Sequence, residues 1–156
     1  MRKLLLIFSL VLSFSAIQAQ TYNVAAYTFH QVIVNEQESI GDKIYDFIQN
    51  ANRRNLHKLQ LQIKYSSAII DSLKPYNNET TYLDVAKKLF AYYKDVSATD
   101  YVALEKLVEN SSLEPNQFQA EKQKIFNSIK QKGNAVYQPF NIAQEEFCKK
   151  YGIKLE

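Results

Sequence analysis

Residues 82–108 read YLDVAKKLFAYYKDVSATDYVALEKLV, and this stretch decides the fold. Its apolar side chains recur every three or four residues, which places them on one stripe of an α-helix. The stripe comprises Leu83, Ala86, Phe90, Tyr93, Ser97, Tyr101, Leu104 and Val108. A helix this long and this one-sided is stable only when its stripe is buried against other elements. The stretch therefore predicts one long helix that packs against partners from the rest of the chain.

Three further stretches carry the same spacing and supply those partners. The first seam is Ala26, His30, Ile33, Gln37, Ile40, Ile44 and Phe47; the second is Leu56, Leu59, Ile63, Ser66, Ile70 and Leu73; the last is Phe126, Ile129, Gly133, Val136, Phe140, Ala143 and Phe147. The chain has only 3 Gly and 3 Pro, which favours long helices over a sheet that needs frequent turns. We expect an all-α fold, an antiparallel up-down-up-down four-helix bundle.

Local signals predict where the helices begin and end. Thr81 followed three residues later by Asp84 resembles a capping box. Pro115 suits the first position of the last helix. Pro139 lies inside that helix, and because the seam keeps its phase on both sides, we expect a kink and not a break. Gly152 is placed to end the helix in a left-handed conformation.

The N-terminus has the pattern of a signal peptide. Arg2 and Lys3 precede an apolar run over residues 4–17, and Ala19 follows as a small residue suited to cleavage. The run is short for a membrane span. We therefore expect residues 1–19 to be a signal peptide and residues 20–156 to be the bundle domain, with no transmembrane segment in the mature chain. The predicted location is the periplasm, the outer surface or the extracellular space.

Charge and composition limit the classes of partner. The net charge of +3 includes Arg2 and Lys3, so the mature chain would carry only one excess positive charge. This balance gives no basis for a nucleic-acid partner. The single cysteine, Cys148, has no second cysteine with which to form an internal disulfide.

The search for chemistry yields no catalytic residue, no cofactor site and no metal site. A di-iron bundle needs several glutamates and two Glu-x-x-His pairs, whereas neither His30 nor His57 has a glutamate three residues before it. A haem held by histidine and methionine needs a methionine, and the sole methionine is Met1. There is no G-x-S-x-G motif for a serine nucleophile.

Polar residues on the apolar seams are the one feature that points towards a site. They form a candidate polar core layer of His30, Gln37, Ser66, Tyr93 and Ser97. Residue counts from the first turn place Gln37 level with Ser66. One hypothesis is a layer that fixes the register of the helices, as a buried Asn does in coiled coils. The other is a small central pocket for a ligand, with Gly133 leaving space opposite.

Three segments carry a resemblance to a known family. They are YTFHQVIVNEQESI, LDVAKKLFAYYKDV with TDYVALEKL, and AQEEFCKKYGIKL. Their phrases Ile33-Val34-x-x-Gln37, Tyr92-Tyr93-Lys94 and Ala143-Gln144-x-x-Phe147 resemble those of uncharacterised exported helical proteins of Gram-negative bacteria, which are often labelled surface proteins or lipoproteins. This chain departs from the lipoprotein members because it lacks their lipid-acceptor cysteine. The resemblance implies a fold and a compartment, and no activity.

These observations lead to an expected function. We expect an exported, non-enzymatic bundle that acts as a binding or structural module in the periplasm or at the cell surface, with a protein or another component of the cell envelope as its partner. The alternative is a small-ligand carrier whose site lies between helices in the bundle core. An open pocket lined by polar groups would favour the carrier, and a filled core would favour the interaction module.

Overall fold

A computed structural model describes residues 23–109 and 112–155. The described chain is all-helical and contains no β-strand. Its helices are α1 (Val24–Gln49), α2 (Arg53–Ser72), α3 (Thr81–Ala98), α4 (Asp100–Glu109) and α5 (Pro115–Tyr151). Only Thr99 separates α3 from α4, so the two are counted together as one helical limb. With α1, α2 and α5 they make four limbs, as the four periodic stretches predicted. The predicted signal peptide, residues 1–19, lies outside the described residues.

Local chemistry explains most of the helix ends. The side chains of Asn23 and Asn52 accept hydrogen bonds from the backbone N–H groups of residues 26 and 55, and so cap α1 and α2. Pro115 opens α5, as predicted. Gly152 closes α5 with φ of 69°, in the left-handed region that glycine adopts without steric cost. The N–H of the buried Ile153 then donates to Cys148 O at 2.8 Å, so the predicted stop is confirmed.

The capping box predicted at Thr81 is wrong. Thr81 is the first residue of α3, and the capping position belongs to Thr80, whose side chain makes no capping hydrogen bond. Asp84 still lies in the first turn, where a negative charge favours the positive end of the helix dipole. The helix therefore begins one residue earlier than the motif indicates, and without its reciprocal hydrogen bonds.

The single helix predicted over residues 82–108 is also wrong, because it is divided at Thr99. Thr99 leaves helical geometry, with φ of −118° and ψ of −77°. Its hydroxyl donates to Asp95 O, and the hydroxyl of Ser97 donates to Lys94 O. Such bonds from Ser and Thr to the preceding turn compete with regular helix and bend it. Beyond the division Leu107 is buried, while Val108, predicted on the stripe, is 43% exposed.

The core forms where the predicted seams meet. Each limb packs mainly against the next one along the chain: α1 against α2, α2 against α3, and α3 against α5. The helix α4 also packs on α5, whereas α1 and α5 meet over a smaller part of their surfaces. Phe90 and Phe147, predicted as core residues, are 2% and 1% exposed. The predicted phase of both helices is therefore confirmed.

The last helix continues through Pro139 without a break. The helix α5 is unbroken from Pro115 to Tyr151, so the interior proline does not divide it. The seam runs through both halves, because Phe126 and Ile129 are partly buried before the proline and Phe140 is buried after it. Burial of one face on each side of Pro139 holds the helix together despite the lost hydrogen bond.

Candidate functional site

The first polar cluster of the core surrounds His30 on α1. The Nδ1 atom of His30 lies 3.0 Å from Tyr82 Oη at the start of α3. Cys148 Sγ on α5 lies 3.8 Å from both ring nitrogens of His30. All three residues are buried, with exposed fractions of 3% or less. The fold thus brings a histidine, a tyrosine and the lone cysteine of the chain together within an aromatic environment that includes Phe140 and Phe147.

Burial keeps this cluster uncharged at neutral pH. It lowers the pKa of the His30 imidazole below its ordinary value and raises the pKa of the Cys148 thiol to about 11. Burial also raises the pKa of Tyr82. The nucleophilic form of cysteine is the thiolate, so a thiol with a raised pKa is a weak nucleophile. The arrangement is a set of hydrogen-bonding and packing groups, and it lacks the activated nucleophile of a cysteine enzyme.

The second cluster consists of tyrosines beside Gly133. The hydroxyl of Tyr137 donates to that of Tyr93 at 3.2 Å, and the side chain of Gln37 lies near the Tyr93 hydroxyl. The hydroxyl of Tyr92 donates to Ile129 O at 3.1 Å. A Cβ atom added at Gly133 would lie 3.0 Å from Tyr92 Oη and 3.1 Å from a ring carbon of Tyr137. The space beside Gly133 is therefore occupied by these two side chains.

The five residues of the predicted polar layer do not share one set of partners. Gln37 and Tyr93 meet each other, whereas His30 belongs to the cluster with Tyr82. Ser66 donates to Glu36 Oε2 at 2.6 Å, and the hydroxyl of Ser97 bonds within its own helix. Residue counting placed Gln37 level with Ser66, and the neighbouring Glu36 is the residue that Ser66 contacts. The layer is thus distributed over four places in the core.

One buried hydroxyl in the described part of the chain has no partner. Ser67 on α2 is 1% exposed, and its Oγ makes no hydrogen bond. Sequence reasoning did not identify Ser67, because it stands next to a seam position and not on it. An unsatisfied buried polar group costs about 1–3 kcal/mol, so this position is a weak point in the packing of α2.

Other residues of the two clusters were also missed from the sequence. Tyr82 lies four residues before Ala86 and seven before Leu89, and this spacing indicates a buried position. Tyr137 is only partly buried beside the seam of α5, and no periodic signal marks it. Glu36, which contacts Ser66 outside both clusters, carried no signal, because a charged residue next to a seam is expected to face solvent.

A surface groove separates the start of α2 from α4. It has a volume of about 490 Å³, is open to solvent, and has Arg53, His57 and Gln60 on one wall and Glu105, Lys106 and Glu109 on the other. Leu56, which is 6% exposed, also lines it. Gln60 closes part of the gap by donating to Ser97 O at 3.0 Å. The groove was not predicted, because it depends on how two helices meet.

A second groove lies between α1 and the end of α5, with a volume of about 420 Å³. His30 and Gln144 line it together with Glu38 and Lys154. Its most buried member, His30, already faces Tyr82 and Cys148. The groove thus borders the first polar cluster.

Residues 23–109 and 112–155 contain no group of three or more His, Cys, Asp or Glu side chains that could hold a metal ion. None of the helices described has both the length and the hydropathy of a membrane span. Comparison of the chain with protein-family models, with curated proteins and with solved structures found no match.

Proposed function

We propose that the chain is an exported, non-enzymatic four-helix bundle that acts as a binding or structural module in the periplasm or at the cell surface. Its partner is a protein or another component of the cell envelope. Export is supported by Arg2 and Lys3, the apolar run over residues 4–17 and the small Ala19. The resemblance to exported helical proteins supports the same compartment.

The proposed bundle runs up-down-up-down. In such an arrangement each limb lies beside the next one along the chain, because short connections join antiparallel neighbours. The packing of α1 on α2, of α2 on α3 and of α3 on α5 supports this order. Three residues link α1 to α2, over residues 50–52, which is a connection typical of antiparallel helices.

The observation that best supports a binding or structural module is that the space beside Gly133 is occupied. A carrier would need room where the seams of α3 and α5 meet, and Tyr92 and Tyr137 fill that room. The uncharged state of His30 and Cys148 supports a non-enzymatic role. More than half of the surfaces of Tyr45, Leu61 and Tyr65 is exposed, so aromatic and apolar side chains are available to a partner.

The second candidate function is a small-ligand carrier with its site between helices in the core. The unpartnered hydroxyl of Ser67 favours it, because a ligand could supply the missing hydrogen bond. The polar pair of Gln37 and Tyr93 supplies two further groups that could orient a ligand.

Native mass spectrometry of the protein purified from its source tests both functions. We expect a mature chain that begins at Gln20, carries no small-molecule adduct, and is recovered from the periplasm, cell surface or medium in complex with an envelope component. A chain with residues 1–19 intact in the cytoplasm would overturn export. A stoichiometric small-molecule adduct would favour the carrier.

Substitution of Gln37 by leucine separates the two candidates further. If the polar pair only supports packing, Gln37→Leu should fold with equal or greater stability and keep the envelope partner, because leucine replaces a partly buried polar group by an apolar one of similar size. Loss of a small-molecule adduct with the fold intact, judged by circular dichroism, would support a ligand site. Gln49→Leu, at the exposed end of α1, is the matched control.

A further inference from the structure

The groove between α2 and α4 contains a carboxylate that has no partner among the described residues. Glu105 lines this groove and is 7% exposed. The ion pairs of the described residues join other side chains, at Lys43, Lys94, Lys124, Lys132 and Lys150. The carboxylate oxygens of Glu105 make no hydrogen bond or ion pair with the described residues, and solvent reaches them from the groove. Glu105 is therefore an acceptor to which a ligand could donate.

The opposite wall carries the complementary charge. Arg53 and His57 are one helical turn apart on α2, so their side chains leave the same face of the helix. Both are largely exposed, and neither is ion-paired within the described part of the chain. An arginine guanidinium binds a carboxylate through two parallel hydrogen bonds. The groove thus has an acceptor on one wall and carboxylate-binding groups on the other.

An apolar lining residue and the size of the groove complete the site. Leu56 lies between Arg53 and His57 on α2 and is 6% exposed, which offers an apolar contact. The volume of about 490 Å³ falls within the range of small-molecule sites, roughly 300–1,000 Å³.

From this juxtaposition we infer that the groove binds a small zwitterion, namely a free α-amino acid with an apolar side chain. The ligand's ammonium group donates to Glu105, its carboxylate accepts from Arg53 and His57, and its side chain covers Leu56. The site is separate from the core clusters, and it does not depend on the proposed export or on an envelope partner.

Titration of the isotopically labelled protein with leucine, followed by nuclear magnetic resonance, tests this inference. We expect saturable shifts of the backbone amides around residues 53–57 and 102–109. N-acetyl-leucine lacks the ammonium group and leucine amide lacks the carboxylate, so each should bind at least about tenfold more weakly, the loss expected for one charge-assisted hydrogen bond. Undiminished binding of either analogue, or the absence of shifts with leucine at millimolar concentration, would overturn the inference.

Two variants and one control locate the site. Glu105→Gln and Arg53→Gln should each weaken leucine binding at least about tenfold while the thermal unfolding curve shows an intact fold. Glu105→Gln keeps the size of the side chain and breaks no hydrogen bond or ion pair of the described residues, so this variant should fold. Lys58→Gln, exposed on α2 and outside the groove, should bind like the original protein. Unaltered binding by both groove variants would also overturn the inference.

Discussion

The predicted burial of Phe90 in the core can be tested by a single substitution. Phe90 is 2% exposed, and its ring packs edge-on against that of Tyr93 with centroids 5.8 Å apart. Phe90→Ala should lower the free energy of unfolding by about 3–5 kcal/mol, because it removes a large buried side chain and leaves a cavity. Chemical denaturation measures the change. Lys88→Ala, on the exposed face of α3, is the control and should alter stability by less than about 0.5 kcal/mol.

His30 gives the protein a predicted dependence on pH. Because burial holds the pKa of His30 below its ordinary value of 6.5, the unfolded chain takes up the proton first as the pH falls. The contribution of neutral His30 to the free energy of unfolding is complete above about pH 6.5. It is lost as the pH falls from there towards the pKa of His30 in the folded protein. Unfolding measured at about pH 7.5 and about pH 5 should show lower stability at the acid value.

Two histidine variants test whether His30 causes this dependence of stability on pH. His30→Asn, which keeps a polar atom near Tyr82 Oη, should lose stability at neutral pH but show a smaller difference between the two pH values. His57→Asn, at an exposed position, should retain the difference. An unchanged pH dependence in His30→Asn would show that another group is responsible.

At the scale of single residues, the sequence predicts burial better than it predicts partners. His30 was identified because a polar residue interrupts an apolar seam, and that signal depends only on spacing along one helix. Its partners Tyr82 and Cys148 lie on α3 and α5, and the distance between helices is not encoded in the spacing of either. The groove residue Glu105 was missed for the same reason, since it reads as a surface charge.

Lys132 connects two helices at the division of the third limb. Its Nζ atom lies 3.0 Å from Asp95 Oδ2 and 2.8 Å from Asp100 Oδ2, on either side of Thr99. Burial alone would raise the pKa of Asp100, but hydrogen bonds from Lys132, Ser128 and Thr99 outweigh it and hold the pKa below its ordinary value. The ion pair between Lys132 and Asp100 contributes stability above about pH 3.8. This contribution is lost as the pH falls through the lowered pKa of Asp100.

Removal of this lysine should therefore destabilise the protein. Lys132→Met should lower the free energy of unfolding at neutral pH by about 1–2 kcal/mol, because Asp100 stays largely buried and loses its charged partner; the exposure of Lys132 to solvent limits the effect. Lys124→Met breaks the exposed pair with Glu121 and should change stability by less than about 0.5 kcal/mol. Equal effects of the two substitutions would refute a special role for Lys132.

Two helical glycines should respond in opposite directions to the same substitution. A Cβ atom at Gly41 on α1 meets nothing within 4 Å, so Gly41→Ala should stabilise the protein by about 0.5–1 kcal/mol through helix propensity. At Gly133 the added atom would crowd Tyr92 and Tyr137, so Gly133→Ala should lower the melting temperature. A stabilising Gly133→Ala would mean that the two tyrosines move aside easily and that the space beside them is less fixed than proposed.

At the scale of the element, the spacing of apolar residues predicts the helices and their buried faces. It does not predict the division at Thr99, because the stripe runs through residues 97 and 101 without a change of phase. The division coincides with hydroxyl groups that bond to backbone carbonyls, and such bonds can bend a helix. Residue types alone do not predict the division, because the same bond at Thr28 leaves α1 unbroken. The end at Gly152 was predictable because glycine has a specific steric reason to be there.

At the scale of the whole molecule, composition and periodicity suffice for the all-helical class. Long seams and few glycines or prolines leave little alternative to helices that pack on one another. The grooves, in contrast, depend on the angles and spacings at which α2 meets α4 and α1 meets α5. Those quantities follow from the summed packing of many side chains, which no single stretch of sequence specifies.

The neighbour-to-neighbour packing of the limbs has a consequence for how quickly the chain folds. Since each limb rests mainly on the next one in sequence, the loops that must close are short and their entropic cost is small. Stopped-flow refolding of residues 20–156 should therefore be fast, within about a millisecond to tens of milliseconds. The contact between the first and last helices spans nearly the whole chain, and we expect it to form after the rate-limiting barrier. Substitutions along that contact should accelerate unfolding while leaving the refolding rate nearly unchanged.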